Sequence, residues 1–194
     1  GNLGSGGGVL MTQLVFHHDI NQLNNLQNGT IPVHLYGMGN KNLQIAHIGN
    51  MVLDRVRRLG IRLNNQVMDF LTIAMAVTAA DTFVLRKDTA NGWCRSFSIT
   101  LPLCQPAIWQ ANKVHLEHIL HFLSGDIWQF DFQENGQNPP QPYSQNDRTK
   151  LVDLRNKDCV CLFSGGLDSS IGAIDLLEQG HSPVLVSHSY KGDK

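Results

Sequence analysis

One segment near the end of the 194-residue sequence constrains the fold more than any other. Residues 159–163, CVCLF, form an apolar run typical of a buried strand in a parallel sheet. The run stops at Ser-Gly-Gly, and the residues that follow, SSIGAIDLLEQG, have the apolar spacing of a helix. A second apolar run, SPVLVSHSY, comes directly after that helix. The segment therefore predicts a strand, a helix and a second strand that is parallel to the first.

The joint between the first strand and the helix has the composition of an anion-binding loop. Gly165 and Gly166 can take a positive φ and leave no Cβ between the main chain and a phosphate. Ser164, Ser169 and Ser170 add hydroxyl groups beside the N–H groups of a helix N-terminus. We therefore predict a pyrophosphate site here; the alternative is a glycine-rich turn without a ligand.

Asp168 is unusual in such a loop, because a carboxylate repels phosphate unless a divalent cation lies between them. We expect Asp168 to cap the helix and orient the loop, and a magnesium role is the second interpretation. The common Walker loop also needs a lysine that reaches the β and γ phosphates, and this loop has none.

The string SGGLDS, residues 164–169, resembles the S-G-G-x-D-S signature of the PP-loop ATP pyrophosphatase superfamily. The resemblance implies an α/β fold, the doubly wound sheet of the adenine nucleotide alpha hydrolase-like type, with only its first βαβ present. It also implies that the loop binds ATP with Mg²⁺ and holds the β and γ phosphates while AMP is transferred to a substrate oxygen. The residues implied to be catalytic are Asp168 and Ser169, and those implied to bind the nucleotide are Ser164, Gly165, Gly166, Leu167, Asp168, Ser169, Ser170, Ser187 and His188.

Stretches before the loop, among them VMDFLTIAMAVTAADTFVLR and LEHILHFLSGDIWQFDF, look like the N-terminal region of the QatC family. These are QueC-like (7-cyano-7-deazaguanine synthase-like) PP-loop ATPases of Qat anti-phage defence systems. The resemblance implies adenylation of a 7-deazaguanine carboxylate and its transfer to an amine, for which a partner protein's N-terminus is one candidate. Two alternatives remain: another PP-loop amide ligase or amidotransferase, and a scaffold that binds a nucleotide without catalysis.

The four cysteines predict neither a disulfide scaffold nor a metal site in this segment. They form no C-x-x-C pair, which favours a reducing cytoplasm. QueC enzymes bind structural zinc through a C-terminal cysteine cluster, so the resemblance implies zinc only beyond Lys194. A net charge of -1 gives no support for direct nucleic-acid binding. The longest apolar stretch, residues 70–80, is too short to span a membrane.

Proline and polar residues divide the sequence into domains. Residues 133–150 contain three prolines and almost no apolar side chains, which predicts a linker. Residues 1–10 are interpreted as a cloning scar or a disordered tail. The predicted organisation is therefore an N-terminal domain over 11–132, a linker over 133–154, and the start of a truncated PP-loop domain over 155–194.

The N-terminal domain is predicted to be of the α+β class. TQLVFHH and IPVHLYG are β-prone and flank an Asn-Gly turn signal, so we expect a hairpin or two edge strands. Residues 43–59 have the spacing of one amphipathic helix. Two further helices are expected, one after Asn64 or Asn65 and one from Pro106 to Gly125, with strands at SFSITL and IWQFDF.

Overall fold

The structure, a computed structural model, describes residues 11–38, 44–89, 93–144 and 151–187. The chain divides into two compact units, an N-terminal unit, Gly1–Ser144, and a C-terminal unit, Gln145–Lys194. The division after Ser144 falls inside the predicted linker. The predicted tail over residues 1–10 lies outside the described residues. None of the described helices is both long and apolar enough to cross a membrane.

The N-terminal unit is built on a five-stranded sheet in which every neighbouring pair of strands is parallel. The strand order is β3-β2-β1-β4-β5, which is compatible with a Rossmann-like fold. Its elements are β1 Met11–His17, β2 Thr30–Leu35, β3 Ala46–Ile48, α1 Val52–Arg58, α2 Asn65–Phe83, β4 Ser96–Pro102, α3 Pro106–Ser124 and β5 Ile127–Gln133.

The α+β prediction for this unit is therefore wrong, and the unit is of the α/β class. β1 and β2 form no hairpin: they run parallel, with Gln13 opposite Thr30 and His17 opposite His34. The Asn-rich connection over 18–29 contains a short 3-10 turn and is a crossover. β1 lies at the centre of the sheet, with β4 on its other side.

The prediction of a single helix over residues 43–59 is also wrong. The structure has the short strand β3 followed by α1, with Gly49 between them at a φ of 73°. A side chain at Gly49 would be strained by that φ, and its Cβ would lie 2.9 Å from the Met75 sulfur. The apolar residues that suggested one helix lie in both β3 and α1, and the two elements pack against the same core.

The two long helices are confirmed, because their ends are encoded locally. The Asn64 side chain accepts a hydrogen bond from the Val67 N–H at 2.8 Å and so caps α2. α3 begins at Pro106 and is terminated by Gly125, the residue after its last one, which has a φ of 72°. β4 and β5 are confirmed as well, and every second side chain of β5 is buried. The largest fully buried side chains of the core are Phe16, Phe97, Phe130, Leu14, Leu35, Met68 and Ile73.

A buried guanidinium group joins the elements at the amino ends of β4 and β5. Arg95, 3% exposed at its side chain, binds the fully buried Asp126 carboxylate at 2.6 Å. Arg95 also donates to the main-chain oxygens of Asp81 and Val84 at the end of α2. Arg86 makes a second ion pair with Asp126 at 3.0 Å. The charge of Asp126 is thus matched by two cations, as a buried carboxylate requires.

A buried carboxylate also joins neighbouring elements at the carboxyl end of β4. Asp69 on α2 is 1% exposed and accepts hydrogen bonds from the Cys104 and Gln105 N–H groups at 2.7 and 2.9 Å. The Trp109 indole N–H donates to the same carboxylate at 3.2 Å. Asp69 therefore fixes the turn between β4 and α3 and supplies a hydrogen-bond acceptor for two partly buried backbone N–H groups.

The edge strand β5 and the segment after it are held against the N-terminal unit. The Glu117 carboxylate of α3 accepts a hydrogen bond from the Phe130 N–H at 2.9 Å. The Gly136 N–H donates to the Leu103 carbonyl at 3.0 Å, and the Tyr143 hydroxyl donates to Asp54 at 2.8 Å. The first half of the predicted linker is therefore part of the N-terminal unit.

The C-terminal unit contains the predicted strand, helix and strand: β6 Cys159–Leu162, α4 Leu167–Glu178 and β7 Pro183–Val186. β6 and β7 are parallel, with Cys159 opposite Pro183 and Leu162 opposite Val186. The expected burial of β6 is not seen in this unit, because Val160 and Leu162 are 67% and 78% exposed.

Replacing Asp126 with asparagine is expected to lower the free energy of unfolding of the N-terminal unit by about 3 kcal/mol, because the buried Arg95 charge loses its main partner. Urea unfolding followed by tryptophan fluorescence measures this unit alone, since Trp93, Trp109 and Trp128 all precede residue 144. Asp131→Asn on the exposed face of β5 is the control and is expected to leave the midpoint unchanged.

Acid titration gives a second measure of the same pair. Burial alone would raise the pKa of Asp126, but the hydrogen bonds from Arg95 outweigh it and hold that pKa below its usual range. A lowered carboxyl pKa contributes stability above the unfolded-state value of about 3.9 and loses it as the pH falls through the folded-state pKa. Unfolding midpoints of the wild type should therefore fall on acidification below about pH 4 more steeply than those of Asp126→Asn. Equal slopes would contradict the assignment.

Candidate functional site

The glycine-rich segment forms a tight loop between the carboxyl end of β6 and the start of α4. The Phe163 N–H still pairs with the Val186 carbonyl at 2.8 Å, so the strand ladder continues up to the loop. Gly165 then takes a φ of 84°, and Gly166 precedes the first residue of α4 with extended backbone. The chain thus passes from β6 to α4 within four residues, Phe163 to Gly166, of which the last three are exposed.

The two glycines are needed for different reasons. Gly165 has a φ that L-residues rarely adopt, so the turn itself requires glycine there. Gly166 has an ordinary φ of -82°, and a Cβ at this position would lie 3.5 Å from the Ser164 hydroxyl oxygen, a normal contact. A side chain at position 166 is therefore compatible with the fold, and the bare main chain at this point leaves room for a ligand.

The serine hydroxyls of the loop form a connected set around Gly166. Ser169 and Ser170 each donate to the Gly166 carbonyl at 2.9 Å. Ser164 donates to the Ser169 hydroxyl at 3.1 Å and accepts a long hydrogen bond of 3.4 Å from the Gly166 N–H. The hydroxyls are thereby placed beside the first turn of α4, where a rotation of each O–H could redirect it to an anion.

The main-chain N–H groups of the first turn of α4 give the loop its positive potential. The first N–H groups of a helix have no partner within the helix, and the residue in the capping position here is a glycine, which has no side chain. Leu167, Asp168 and Ser169 contribute these N–H groups. The arrangement matches an anion site at a helix N-terminus.

Asp168 does not cap α4, so the capping interpretation is wrong. The capping position belongs to Gly166, and Asp168 lies two residues further on, inside the first turn. Within the described residues the Asp168 carboxylate accepts no hydrogen bond, and the residue is exposed. The magnesium interpretation therefore remains for this carboxylate.

The predicted adenine-side residues follow β7. Ser187 comes directly after β7, and Val186 is opposite Leu162, so Ser187 lies at the same sheet edge as the loop. His188 falls outside the described part of the chain. The structure therefore brings Ser187 and the loop residues 164–170 to one edge of the β6-β7 pair.

A second cluster of polar side chains lies at the opposite, amino end of β6 and was not predicted. Asp158, Cys159 and His181 bring three candidate ligand atoms within 4.8 Å of one another. His181 Nδ1 lies 3.0 Å from an Asp158 oxygen, and this contact lowers the pKa of Asp158 to about 2, assisted by the Ser182 N–H. Burial raises the pKa of the Cys159 thiol, and its hydrogen bond to Asp158 acts in the same direction. The pairing register of β6 and β7 places the residues before β7 beside the start of β6, and the sequence alone does not give this register.

Comparison with known proteins does not identify the chain. No protein-family model, no curated protein and no solved structure matches it.

The conformational role of Gly165 has a matched control in the same unit. Gly180, just after α4, has a φ of 85°, and a Cβ at either glycine would have no atom within 4 Å. Gly165→Ala and Gly180→Ala are therefore each expected to destabilise the unit by about 1 kcal/mol through backbone strain alone. Hydrogen exchange of the β6 and α4 peptides measures this change. A much larger loss in Gly165→Ala than in Gly180→Ala would show that the loop glycine has a further structural role.

Proposed function

We propose that the C-terminal unit binds ATP through the loop over residues 164–170 and supports its cleavage to AMP and pyrophosphate. The observation that carries this proposal is the bare main chain at Gly166, placed at a helix N-terminus beside three serine hydroxyls. Exposed N–H groups at a helix N-terminus, with hydroxyls nearby that can rotate toward a ligand, are suited to phosphate oxygens and to the charge that develops on a departing pyrophosphate.

The absence of a lysine in the loop favours this reaction over transfer of the γ phosphate. A Walker loop uses its lysine at the β and γ phosphates, whereas the string SGGLDS resembles loops that hold those two phosphates as the leaving group. In the proposed reaction a substrate carboxylate oxygen attacks the α phosphorus, and the bond to the bridging oxygen of pyrophosphate breaks. The acyl adenylate then reacts with an amine to give an amide, AMP and a proton.

Asp168 is the residue of the loop that suits magnesium. Its carboxylate is exposed, stands in the first turn of α4 and would repel phosphate oxygens without a cation between them. When bound, Mg²⁺ would neutralise charge on the β and γ phosphates. Ser164 and Ser169 would act on the same phosphates as hydroxyl donors.

The resemblance to the QatC family supplies the substrate class. A QueC-like enzyme would adenylate a 7-deazaguanine carboxylate, and the amine of a partner protein's N-terminus is the acceptor that we favour, in an anti-phage defence system. A PP-loop amide ligase with another substrate and a nucleotide-binding scaffold are the alternatives. Hydroxylamine traps an acyl adenylate as a hydroxamate, so incubation with ATP, Mg²⁺, 7-carboxy-7-deazaguanine and hydroxylamine tests the QueC-like reaction against both alternatives. Hydroxamate formation supports the QueC-like reaction, whereas ATP binding without AMP release contradicts it.

The Gly166→Ser variant separates the effect of this position on stability from its effect on ATP affinity. A serine is a good capping residue, so this variant should keep or raise the thermal stability of the C-terminal unit. Its side chain would occupy the space for phosphate and engage the Ser169 N–H, so we expect ATP affinity to fall about tenfold or more, measured by calorimetry with Mg²⁺. Pyrophosphate should compete with ATP for the wild type, and AMP should compete weakly.

The control for Gly166→Ser is Gly172→Ala, in the interior of α4. A Cβ at Gly172 has no atom within 4 Å, so the variant should stabilise the helix by about 1 kcal/mol and leave ATP affinity unchanged. Wild-type ATP affinity in Gly166→Ser would contradict the proposed phosphate position.

Asp168→Asn tests the magnesium interpretation. The wild type should bind ATP more weakly in EDTA than in Mg²⁺, because the carboxylate repels uncompensated phosphates. Removing this charge should improve binding in EDTA about fivefold, from about 1 kcal/mol of repulsion, and should reduce the gain from Mg²⁺. Equal losses of affinity with and without Mg²⁺ would instead assign Asp168 to loop structure.

A further inference from the structure

The cluster of Asp158, Cys159 and His181 combines three side-chain types that bind transition-metal ions. The topology of the unit brings them together. Asp158 and Cys159 begin β6, and Cys159 is opposite Pro183, so the residues just before β7 lie beside them. The Asp158 N–H also pairs with the Ser182 carbonyl at 3.3 Å, which extends the register to the cluster.

The separations within the cluster fit a single ion. The Asp158 carboxylate oxygen, the Cys159 sulfur and the His181 Nδ1 all lie within 4.8 Å of one another. Bond lengths of about 2.0 Å to nitrogen or oxygen and about 2.3 Å to sulfur place the ligands of a tetrahedral ion about 3–4 Å apart. Small side-chain movements are therefore enough to complete the coordination.

Main-chain hydrogen bonds hold two of the three candidate ligands in place. One Asp158 oxygen accepts the Ser182 N–H at 2.9 Å, which leaves the oxygen that faces His181 for an ion. The His181 N–H donates to the Leu176 carbonyl at 2.9 Å and so anchors the histidine to the end of α4. Such outer hydrogen bonds orient ligands in metal sites. A bound ion would replace the direct contact between His181 and Asp158 and the hydrogen bond between the Cys159 thiol and Asp158.

We propose that Asp158, Cys159 and His181 form a Zn²⁺ site with a water molecule as the fourth ligand. A thiolate, a carboxylate and a neutral imidazole supply two negative charges, which balance the charge of the ion. Sulfur and nitrogen ligands select zinc over magnesium or calcium. Asp158 and His181 are exposed, so the fourth position is open to solvent. Lys157, whose ammonium group donates to the Ser182 hydroxyl at 3.2 Å, adds a nearby positive charge that weakens the site.

The metal site would be independent of the ATP site. The cluster lies at the amino end of β6, and the phosphate loop begins after its carboxyl end, so about 13 Å of strand separates them. Zinc would join the starts of β6 and β7 and reinforce the smaller unit. An ordinary ion pair between His181 and Asp158 is the simpler account; it needs no contribution from Cys159, and the experiment below uses this difference.

The test is titration of the whole chain with Co²⁺, whose absorption reports coordination geometry and a thiolate ligand, followed by displacement with Zn²⁺. We expect one ion per chain, a thiolate charge-transfer band, and a higher thermal midpoint of the C-terminal unit with Zn²⁺. Cys159→Ser and His181→Gln should each lose the band and about tenfold or more of the affinity.

Cys161→Ser is the matched control, because Cys161 lies two residues along the same strand and outside the cluster. This variant should keep the cobalt spectrum of the wild type. A wild type that binds no Co²⁺ or Zn²⁺, or a spectrum that survives Cys159→Ser, would overturn the proposal. His181→Gln repeats the test without a change in the strand, so a folding defect in one variant does not decide the result. ATP binding is measured on the same variants and is expected to be unchanged.

Discussion

The N-terminal unit depends on the ion pairs made by Arg95 and Asp126. In an all-parallel sheet every strand begins at the same edge, so the connections into β4 and β5 must reach that edge side by side. Arg95 directly precedes β4 and Asp126 directly precedes β5, and their side chains meet under the end of α2. The same guanidinium donates hydrogen bonds to the carbonyl groups at the end of α2, which have no partner within the helix. At the opposite edge, the Asp69 carboxylate accepts hydrogen bonds from the N–H groups between β4 and α3.

The parts of the fold that the sequence predicted are those encoded by neighbouring residues. Asn64, Pro106 and Gly125 mark the ends of two helices through local capping, and the alternation of β5 shows which side chains are buried. Strand orientation is different, because β1 pairs with a strand that is distant in the sequence. A polar connection such as residues 18–29 is compatible with a hairpin turn or with a crossover, and only the long-range pairing decides between them. β3 has three residues, too few to show a period.

The same distinction separates the two proposed sites of the C-terminal unit. The loop over residues 164–170 is contiguous in the sequence, so its residue types and order were sufficient to predict a strand, a loop and a helix. The cap of α4 was assigned to the wrong residue, since Gly166 rather than Asp168 occupies that position. The cluster at the other end of β6 joins residues from two strands, and only the register of Cys159 against Pro183 brings them together. A prediction that considered the cysteines alone could not find it.

The strand order of the N-terminal unit has a consequence for the way its sheet is assembled. β1, the earliest of the five strands in the chain, lies in the middle and pairs with β2 on one side and β4 on the other. During synthesis, β1 and β2 can associate early, but the second side of β1 must wait until β4 has emerged. Apolar side chains such as Leu14 and Phe16, fully covered in the finished unit, are only partly protected during that interval. The central position of β1 therefore makes completion of this sheet wait for the synthesis of β4, which begins at Ser96, long after β1 ends at His17.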